Sequence, residues 1–267
     1  MTTEQTSWIP LDTRLPDLLR SGDRLRGIFN GIASPAIVEM CAFAGFDFIV
    51  IDNEHGSSDL QTTENMLRAA RASGIIPIVR CLEHDMARVL DMGASGLQIP
   101  MVRDAAHAAE LVQRMRYPQA GGGGGQRGSA FSTRAAGYGA FGGPAHTARS
   151  NAAIALIAMI ETPQAAAQAA KIAAVDGVDA VFVGPNDLAH SMGHENRWND
   201  PPVQDVIALV LQAVSAAGKC PGILALNEDD VKRYAAWGAR YFATVSTGVI
   251  TAALKEAARG SCRQLSY

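Results

Sequence analysis

Two short stretches decide the fold: Ile157-Ala-Met-Ile-Glu161-Thr162 and Val181-Phe-Val-Gly-Pro-Asn-Asp187-Leu188. Each is a run of apolar residues that stops at a carboxylate. Residues 155–160 and 180–183 are apolar at every position, with no polar alternation. That pattern predicts strands buried on both faces, the habit of parallel sheets. Glu161 follows the first strand directly, and Asp187 follows the second after a Gly-Pro turn. Two acids just beyond the C-terminal ends of consecutive parallel strands meet at one mouth of a sheet or barrel. There they are placed to hold a divalent cation through oxygen ligands. The plainer reading is that Glu161 caps the next helix and Asp187 sits in a turn.

The same rhythm extends outward in both directions. Residues 1–14 read as a loose arm and 15–21 as a short helix closed by Gly22, so that the arm covers about 1–22. Strands are predicted at 25–29, 46–51, 75–79, 96–99, 155–160, 180–183, 222–226 and 241–245. Helices are predicted at 35–44, 60–72, 86–92, 104–115, from Glu161 to about 174, and at 202–217, 228–237 and 249–259. Ser34 followed by Pro35 and the stop at Gly74 are the terminal signals used. Between 117 and 151 the alternation fails. This stretch holds five consecutive glycines, Gly121 to Gly125, and is expected to be a long flexible loop. The glycine tract does not join a strand to a helix, so it reads as a hinge and not as a phosphate cradle.

Eight strands alternating with helices in 267 residues predict a single (β/α)8 TIM barrel of the α/β class, spanning residues 1–267. A doubly wound open sheet is the alternative. No G-x-G-x-x-G follows the first strand, which weakens its dinucleotide-binding version. Apolar residues make up 48% and charged residues 18%, enough to bury a sizeable core. The net charge of −3 offers no basic surface for nucleic acid or anionic lipid. Cys41, Cys81, Cys220 and Cys262 are scattered, which suits free thiols in a cytoplasmic protein. The first residues lack the apolar run of a signal peptide, and no stretch reaches the ~18 apolar residues of a membrane span.

Polar residues at strand C-termini carry function in a barrel. Here they are Asp52, Glu54 and His55 after strand two, Arg80 after strand three, Glu161 after strand five and Asp187 after strand six. His55 offers an imidazole base, and Arg80 presents a fixed fork for a carboxylate or an enolate. A cation on the two acids would polarise a 2-oxo group, with Arg80 on the enolate oxygen and His55 moving the proton. Structural roles stand beside these. Asp52 and Glu54 also suit loop caps, His55 a structural imidazole, and Arg80 an ion-pair partner of Asp52 or Glu54. The four lysines, Lys171, Lys219, Lys232 and Lys255, all fall in or at the ends of predicted helices. This argues against a Schiff-base aldolase and for metal-assisted enolisation.

These motifs resemble the class II, metal-dependent pyruvate aldolases typified by 4-hydroxy-2-oxoheptanedioate aldolase, relatives of the citrate lyase β-subunit and malyl-CoA lyase. The matching stretches include Ala44-Gly-Phe-Asp-Phe-Ile-Val-Ile-Asp-Asn-Glu-His55, Pro77-Ile-Val-Arg80, Leu90-Asp-Met-Gly-Ala94 and Ile99-Pro-Met-Val102. Further on they include Arg116-Tyr-Pro118, Gln126-Arg-Gly128, Ile160-Glu-Thr162, Phe182-Val-Gly-Pro-Asn-Asp-Leu188 and Pro221-Gly-Ile-Leu224. The resemblance implies reversible cleavage of a 4-hydroxy-2-oxo acid to pyruvate and an aldehyde. It implies Glu161 and Asp187 as ligands of Mg²⁺, Mn²⁺ or Co²⁺, His55 as base with Asp52 as its partner, and Arg80 on the pyruvyl oxygen. Gly184 and Pro185 would shape the carboxylate pocket, beside Asn186. Asp91 would act at a subunit contact near a neighbour's His55, in a homohexamer that exchanges its last helix. Three departures stand out: Met159 where a Gln is common, Asn186 where a small Ala is common, and a longer glycine loop. They fall on the aldehyde side. An acyl-CoA lyase and a non-catalytic metabolite-binding barrel are the alternative readings. The CoA version has only Arg127, Arg134 and Arg149 to offer phosphate groups.

Overall fold

In the computed structural model, which describes residues 10–119 and 124–259, eight parallel strands close into a barrel in chain order, β1-β2-β3-β4-β5-β6-β7-β8, with β8 back on β1. The strands are β1 (Leu25–Asn30), β2 (Phe48–Asp52), β3 (Ile76–Arg80), β4 (Gly96–Ile99), β5 (Ala155–Ile160), β6 (Ala180–Val183), β7 (Cys220–Leu224) and β8 (Tyr241–Val245). This is the expected (β/α)8 barrel, and closure rules out the open doubly wound sheet. The lumen is packed, not hollow. Phe48 stacks on Tyr241 with ring centres 4.3 Å apart, and Phe182 meets both Tyr241 and Phe29 edge-on. Gly27 makes room for this layer. A Cβ there would lie 2.0 Å from the Phe48 ring, so a larger residue would break the interior.

Among the described residues twelve helices surround the strands: α1 (Leu15–Arg20), α2 (Pro35–Phe43), α3 (Leu60–Ser73), α4 (Met86–Asp91), α5 (Ala105–Met115), α6 (Pro144–Ala153), α7 (Pro163–Ala166), α8 (Ala169–Ala173), α9 (Pro185–Ser191), α10 (Pro201–Ala216), α11 (Glu228–Ala236) and α12 (Ser246–Ala257). Their starts follow local chemistry. Asp59 accepts the Thr62 N–H at 2.7 Å, Asp104 that of His107 at 2.8 Å, and Asn227 that of Asp230 at 2.9 Å. Gly74 closes α3 at φ +83°, where a Cβ would be strained.

Four expectations are corrected. The 117–151 stretch is not one long loop, because it holds a 3₁₀ turn at Arg134–Gly139 and the helix α6. Gly143-Pro144 starts that helix, as Pro at the first position allows. The helix after β5 is two short pieces, α7 and α8. A helix, α9, begins directly at Pro185 where only a turn and loop were expected. Strand β7 begins and ends two residues before its predicted span, at Cys220 and Leu224. Residues 1–9, the glycines at 121–123 and Cys262 lie outside the described residues.

Helix α1 is the short helix expected at 15–21, and it is packed against the barrel. Leu15 and Leu19 are buried in the same cluster as the lumen residues Phe48, Ile76 and Tyr241, so α1 plugs the N-terminal end of the barrel. Cys41, Cys81 and Cys220 are buried free thiols. Helix α12 does the opposite of α1. Among its residues only Ser246 is buried, and Val249 and Leu254 stand exposed. Among the described residues no helix is long and apolar enough to cross a membrane.

Candidate functional site

A cavity of about 390 Å³ opens at the C-terminal mouth of the barrel. It brings together eight of the residues singled out from the sequence: Asp52, His55, Arg80, Glu161, Gly184, Pro185, Asn186 and Asp187. They arrive from β2, β3, β5 and β6 and from the loops that follow, as the strand-end rule requires.

The floor is built on a register pair. Asp52 lies across from Arg80 between β2 and β3. Arg80 Nε donates to Asp52 Oδ1 at 2.8 Å and Nη2 to Oδ2 at 2.6 Å, a two-pronged contact that fixes the guanidinium plane. The Phe29 ring lies 5.0 Å from the guanidinium carbon. Burial pushes the Asp52 carboxyl up, but the Arg80 hydrogen bonds and charge outweigh it and hold the group below its ordinary range. Glu54 is the third member. Its Oε2 is buried 3.1 Å from Arg80 Nη1, yet accepts no directed hydrogen bond. Burial raises its pKa despite the opposing charge of Arg80. The structural role considered for Arg80 is therefore real, and it leaves the rest of the guanidinium on the cavity wall. Asp52 is engaged with Arg80 and not with the imidazole of His55. It reaches His55 only through the backbone N–H, at 3.3 Å. The imidazole sits at the rim, exposed, with Nε2 4.0 Å from Glu54 Oε2.

Glu161 is 2% exposed. Its Oε2 accepts the Met101 N–H at 2.6 Å, and Met101 holds a left-handed backbone at φ +55° to deliver it. Its Oε1 sits against Gly184, where a Cβ would lie 2.6 Å away. Burial pushes the Glu161 pKa up to about 7. The Met101 N–H opposes this, while the negative charges of Asp187 and Glu54 add to it. Asp187 stands exposed in the first turn of α9. Asn186 and Asp187 lie in the first turn of α9, where backbone N–H groups have no intrahelical acceptor. Among the described residues no group of three or more His, Cys, Asp or Glu forms a complete ligand set. Two hard oxygen donors beside an open cavity, one of them strained by its negative neighbours, suit a cation that keeps water or substrate oxygens as its other ligands.

Asp91 is not in this cavity. It ends α4 and pairs with Arg127 at 2.6 Å. Arg127 is buried over the Tyr117 ring at 4.3 Å, and Arg134 is buried with a hydrogen bond to the Met92 carbonyl. Two of the three arginines weighed for CoA phosphates are thus committed inside the fold. Sequence reading missed Met101, Phe29, Leu224, Val245 and Thr247 as site residues. Val245 ends β8 and Thr247 follows it in the first turn of α12, where the strand-end rule would have found Thr247 had it been applied there.

The profile of a known family, HpcH/HpaI aldolase/citrate lyase, matches residues 25–253. A hydroxypyruvate/pyruvate aldolase of Delftia acidovorans is 40% identical over 247 residues, covering 90% of this chain and 87% of that protein. A 5-keto-4-deoxy-D-glucarate aldolase of Salmonella arizonae is 38% identical over 223 residues, covering 82% and 85%. The crystal structure of an HpcH/HpaI aldolase/citrate lyase family protein from Burkholderia cenocepacia superposes with a TM-score of 0.87 at 32% identity, covering 92% of this chain and 97% of that one. A match over nearly the whole barrel, with the mouth residues inside it, leads to one conclusion: the chain belongs to the HpcH/HpaI aldolase/citrate lyase family.

Proposed function

We propose that this chain is a pyruvate aldolase that reversibly cleaves a 4-hydroxy-2-oxo acid to pyruvate and an aldehyde. The observation that carries this is the pairing, in one lysine-free cavity, of a fixed guanidinium with two acids, one of which is held near a pKa of 7 by burial and negative neighbours. Glu161 and Asp187 are the residues that would hold a divalent cation (Mg²⁺, Mn²⁺ or Co²⁺), which supplies, when bound, a Lewis acid beside the 2-oxo group.

The chain's own groups do the rest. The free N–H groups of Asn186 and Asp187 receive the substrate carboxylate, and Gly184 and Pro185 leave it room. Arg80, anchored by Asp52, stabilises charge on the 2-oxo oxygen as the enolate forms. His55 accepts the proton of the C4 hydroxyl as the C3–C4 bond breaks, and a proton returned to C3 yields pyruvate. Oxaloacetate decarboxylation passes through the same enolate and is an expected side activity.

The protein assembles as an oligomer of identical chains, a hexamer by resemblance. Helix α12 rests on little of its own barrel, and Phe43 on α2 is 79% exposed. Exchange of α12 between neighbours would cover such apolar surface, and Asp91 would act across the contact it creates.

Pyruvate release from 4-hydroxy-2-oxo acids, followed before and after EDTA treatment, tests the reading. Activity is expected to vanish with EDTA and return with Mg²⁺, Mn²⁺ or Co²⁺. Full activity in EDTA would remove the cation from the mechanism.

A further inference from the structure

Two arginines, Arg127 and Arg134, are buried outright among the described residues. Arg127 has a carboxylate, Asp91, at 2.6 Å. Arg134, 6% exposed, has none among the described residues. Its Nη1 donates to the Met92 carbonyl at 2.5 Å, and no described residue accepts from its Nε or Nη2. Gly93 leaves the space for that contact, since a Cβ there would lie 2.8 Å from Nη1. Burial pulls the Arg134 pKa down and the charge of Arg68 adds to this, against a smaller opposing pull from Glu64 and Tyr138. An unpaired buried charge is costly, so its partner is to be sought in what the space beside it takes up.

That space is open. Arg134 lines a cavity of about 510 Å³ between α3 and the 134–141 segment, which shares no lining residue with the barrel mouth. Pro10, Ala72, Gly137 and Phe141 give it apolar walls. Its other arginine, Arg68, is already answered. Arg68 Nη2 pairs with Glu64 and donates to the Tyr138 hydroxyl at 3.1 Å, and Nη1 donates to Asn65 Oδ1 at 2.7 Å. The Tyr138 hydroxyl donates in turn to Glu64 Oε1 at 3.4 Å, which fixes the tyrosine as part of the lining. Tyr138 holds a left-handed backbone at φ +54°, beside Gly137 at φ +59°. A tyrosine rarely adopts that conformation, and such outliers collect at ligand sites. Gly137 also lets the Phe141 ring close in, because a Cβ there would lie 2.4 Å from it.

The lining therefore carries one unanswered positive charge on a planar fork, set among apolar walls. A planar fork matches a planar carboxylate, and one charge asks for a monoanion. Apolar walls of this extent ask for an apolar body behind the charge.

We infer that this cavity is a second ligand site, which takes a small organic monocarboxylate with an apolar, ring-sized body, its carboxylate on Arg134 and its body against Phe141 and Tyr138. The site stands apart from the chemistry at the mouth and does not depend on the aldolase reading.

The test titrates the full-length, Mg²⁺-loaded protein with benzoate by calorimetry. Benzoate is expected to bind at about one equivalent per chain, and about tenfold or more tightly than benzamide, acetate or inorganic phosphate. Arg134→Gln should weaken it by about tenfold or more, the effect of losing a charge-assisted contact. A second variant keeps the buried arginine and so guards against loss of fold. Ala72→Glu, at an exposed position of α3 on the cavity wall, brings a carboxylate of the chain itself to the guanidinium. It should abolish benzoate binding and raise the melting temperature by about 1–3 °C. Arg80→Ala, at the mouth, should leave benzoate affinity unchanged, which separates this site from any carboxylate taken up there. No binding by the wild-type protein, as when a second copy of the chain seats its own carboxylate on Arg134, would overturn the inference. So would equal affinity for benzamide, binding that persists in Ala72→Glu, or binding lost in Arg80→Ala.

Discussion

Among the described residues two arginine–aspartate pairs are largely buried, and only one of them belongs to the candidate site. Arg80 and Asp52 meet at 2.6 Å over the ring of Phe29, and Arg127 and Asp91 meet at 2.6 Å over the ring of Tyr117. As isolated pairs they look alike. Their surroundings differ. Around Arg80 there is more negative charge than it can satisfy, from Glu54, Glu161 and Asp187, and a cavity into which a ligand can bring the balance. Around Arg127 the space is closed by Tyr117, Ser150 and His146. The Tyr117 hydroxyl, Arg127 Nε and both His146 nitrogens are buried there with no hydrogen-bond partner. A buried ion pair is thus a site only where uncompensated charge faces open space. Elsewhere it is a joint, here fastening α4 to the 127–150 segment.

The sharpest way to break this comparison is to remove each arginine in turn. Arg80→Ala should lower kcat by about 10²- to 10³-fold, with cation affinity changed only a few-fold. Arg127→Ala should instead lower stability by about 2–4 kcal/mol, since it strands Asp91 and empties a packed position. Steady-state rates and denaturant melts on both proteins would show it, and an Arg127→Ala protein as stable as wild type would erase the distinction.

The next effect concerns excess charge at the mouth. With a pKa raised from 4.5 to about 7, Glu161 stays protonated in the fold where the unfolded chain has lost its proton. Stability of the metal-free protein must then fall as pH rises from about 4.5 to 7. Glu161→Gln should remove that slope and gain on the order of 2–3 kcal/mol at pH 8 in EDTA, while abolishing the response to added cation. Melts at pH 5 and pH 8 that shift in parallel for both proteins would contradict the charge reading.

The smallest effect belongs to the closed region. Burial, then the charges of Arg127 and Arg149, lowers the pKa of His146. A neutral imidazole there favours the fold above pH 6.5, and that contribution is lost as pH falls below it. His146→Phe should flatten stability between pH 5 and 7 and change it by under about 1 kcal/mol at pH 8. Unfolding curves across that range would decide; an unchanged acid slope would clear His146 of the role.

Much of this architecture is legible in the residues. The eight strands are short and mostly apolar, so the barrel follows from the period and the count, and acids at strand ends mark the mouth. What is hidden is pairing across strands. Nothing local says that Asp52 faces Arg80 and not His55, because that depends on the β2–β3 register. Met101 offers no signal either, since its contribution is a backbone N–H aimed by an unusual φ. Helix α6 reads as loop because Pro144–Ala153 is polar and follows a glycine tract, and α9 because Gly-Pro reads first as a turn. Asp91 is apparent only as a residue in a motif. Its distance from the cavity belongs to the tertiary fold.

The plug at the other end of the barrel has a kinetic consequence. Leu15 and Leu19 of α1 seal the N-terminal opening, and the lumen above them is filled by Phe48, Tyr241 and Phe182. Traffic therefore has one door. On the proposed reaction, with pyruvate deeper in the cavity than the aldehyde, the aldehyde would leave first in cleavage and pyruvate would enter first in synthesis. An ordered steady-state mechanism is the expected outcome, with helix α1 and the packed lumen together closing the far end.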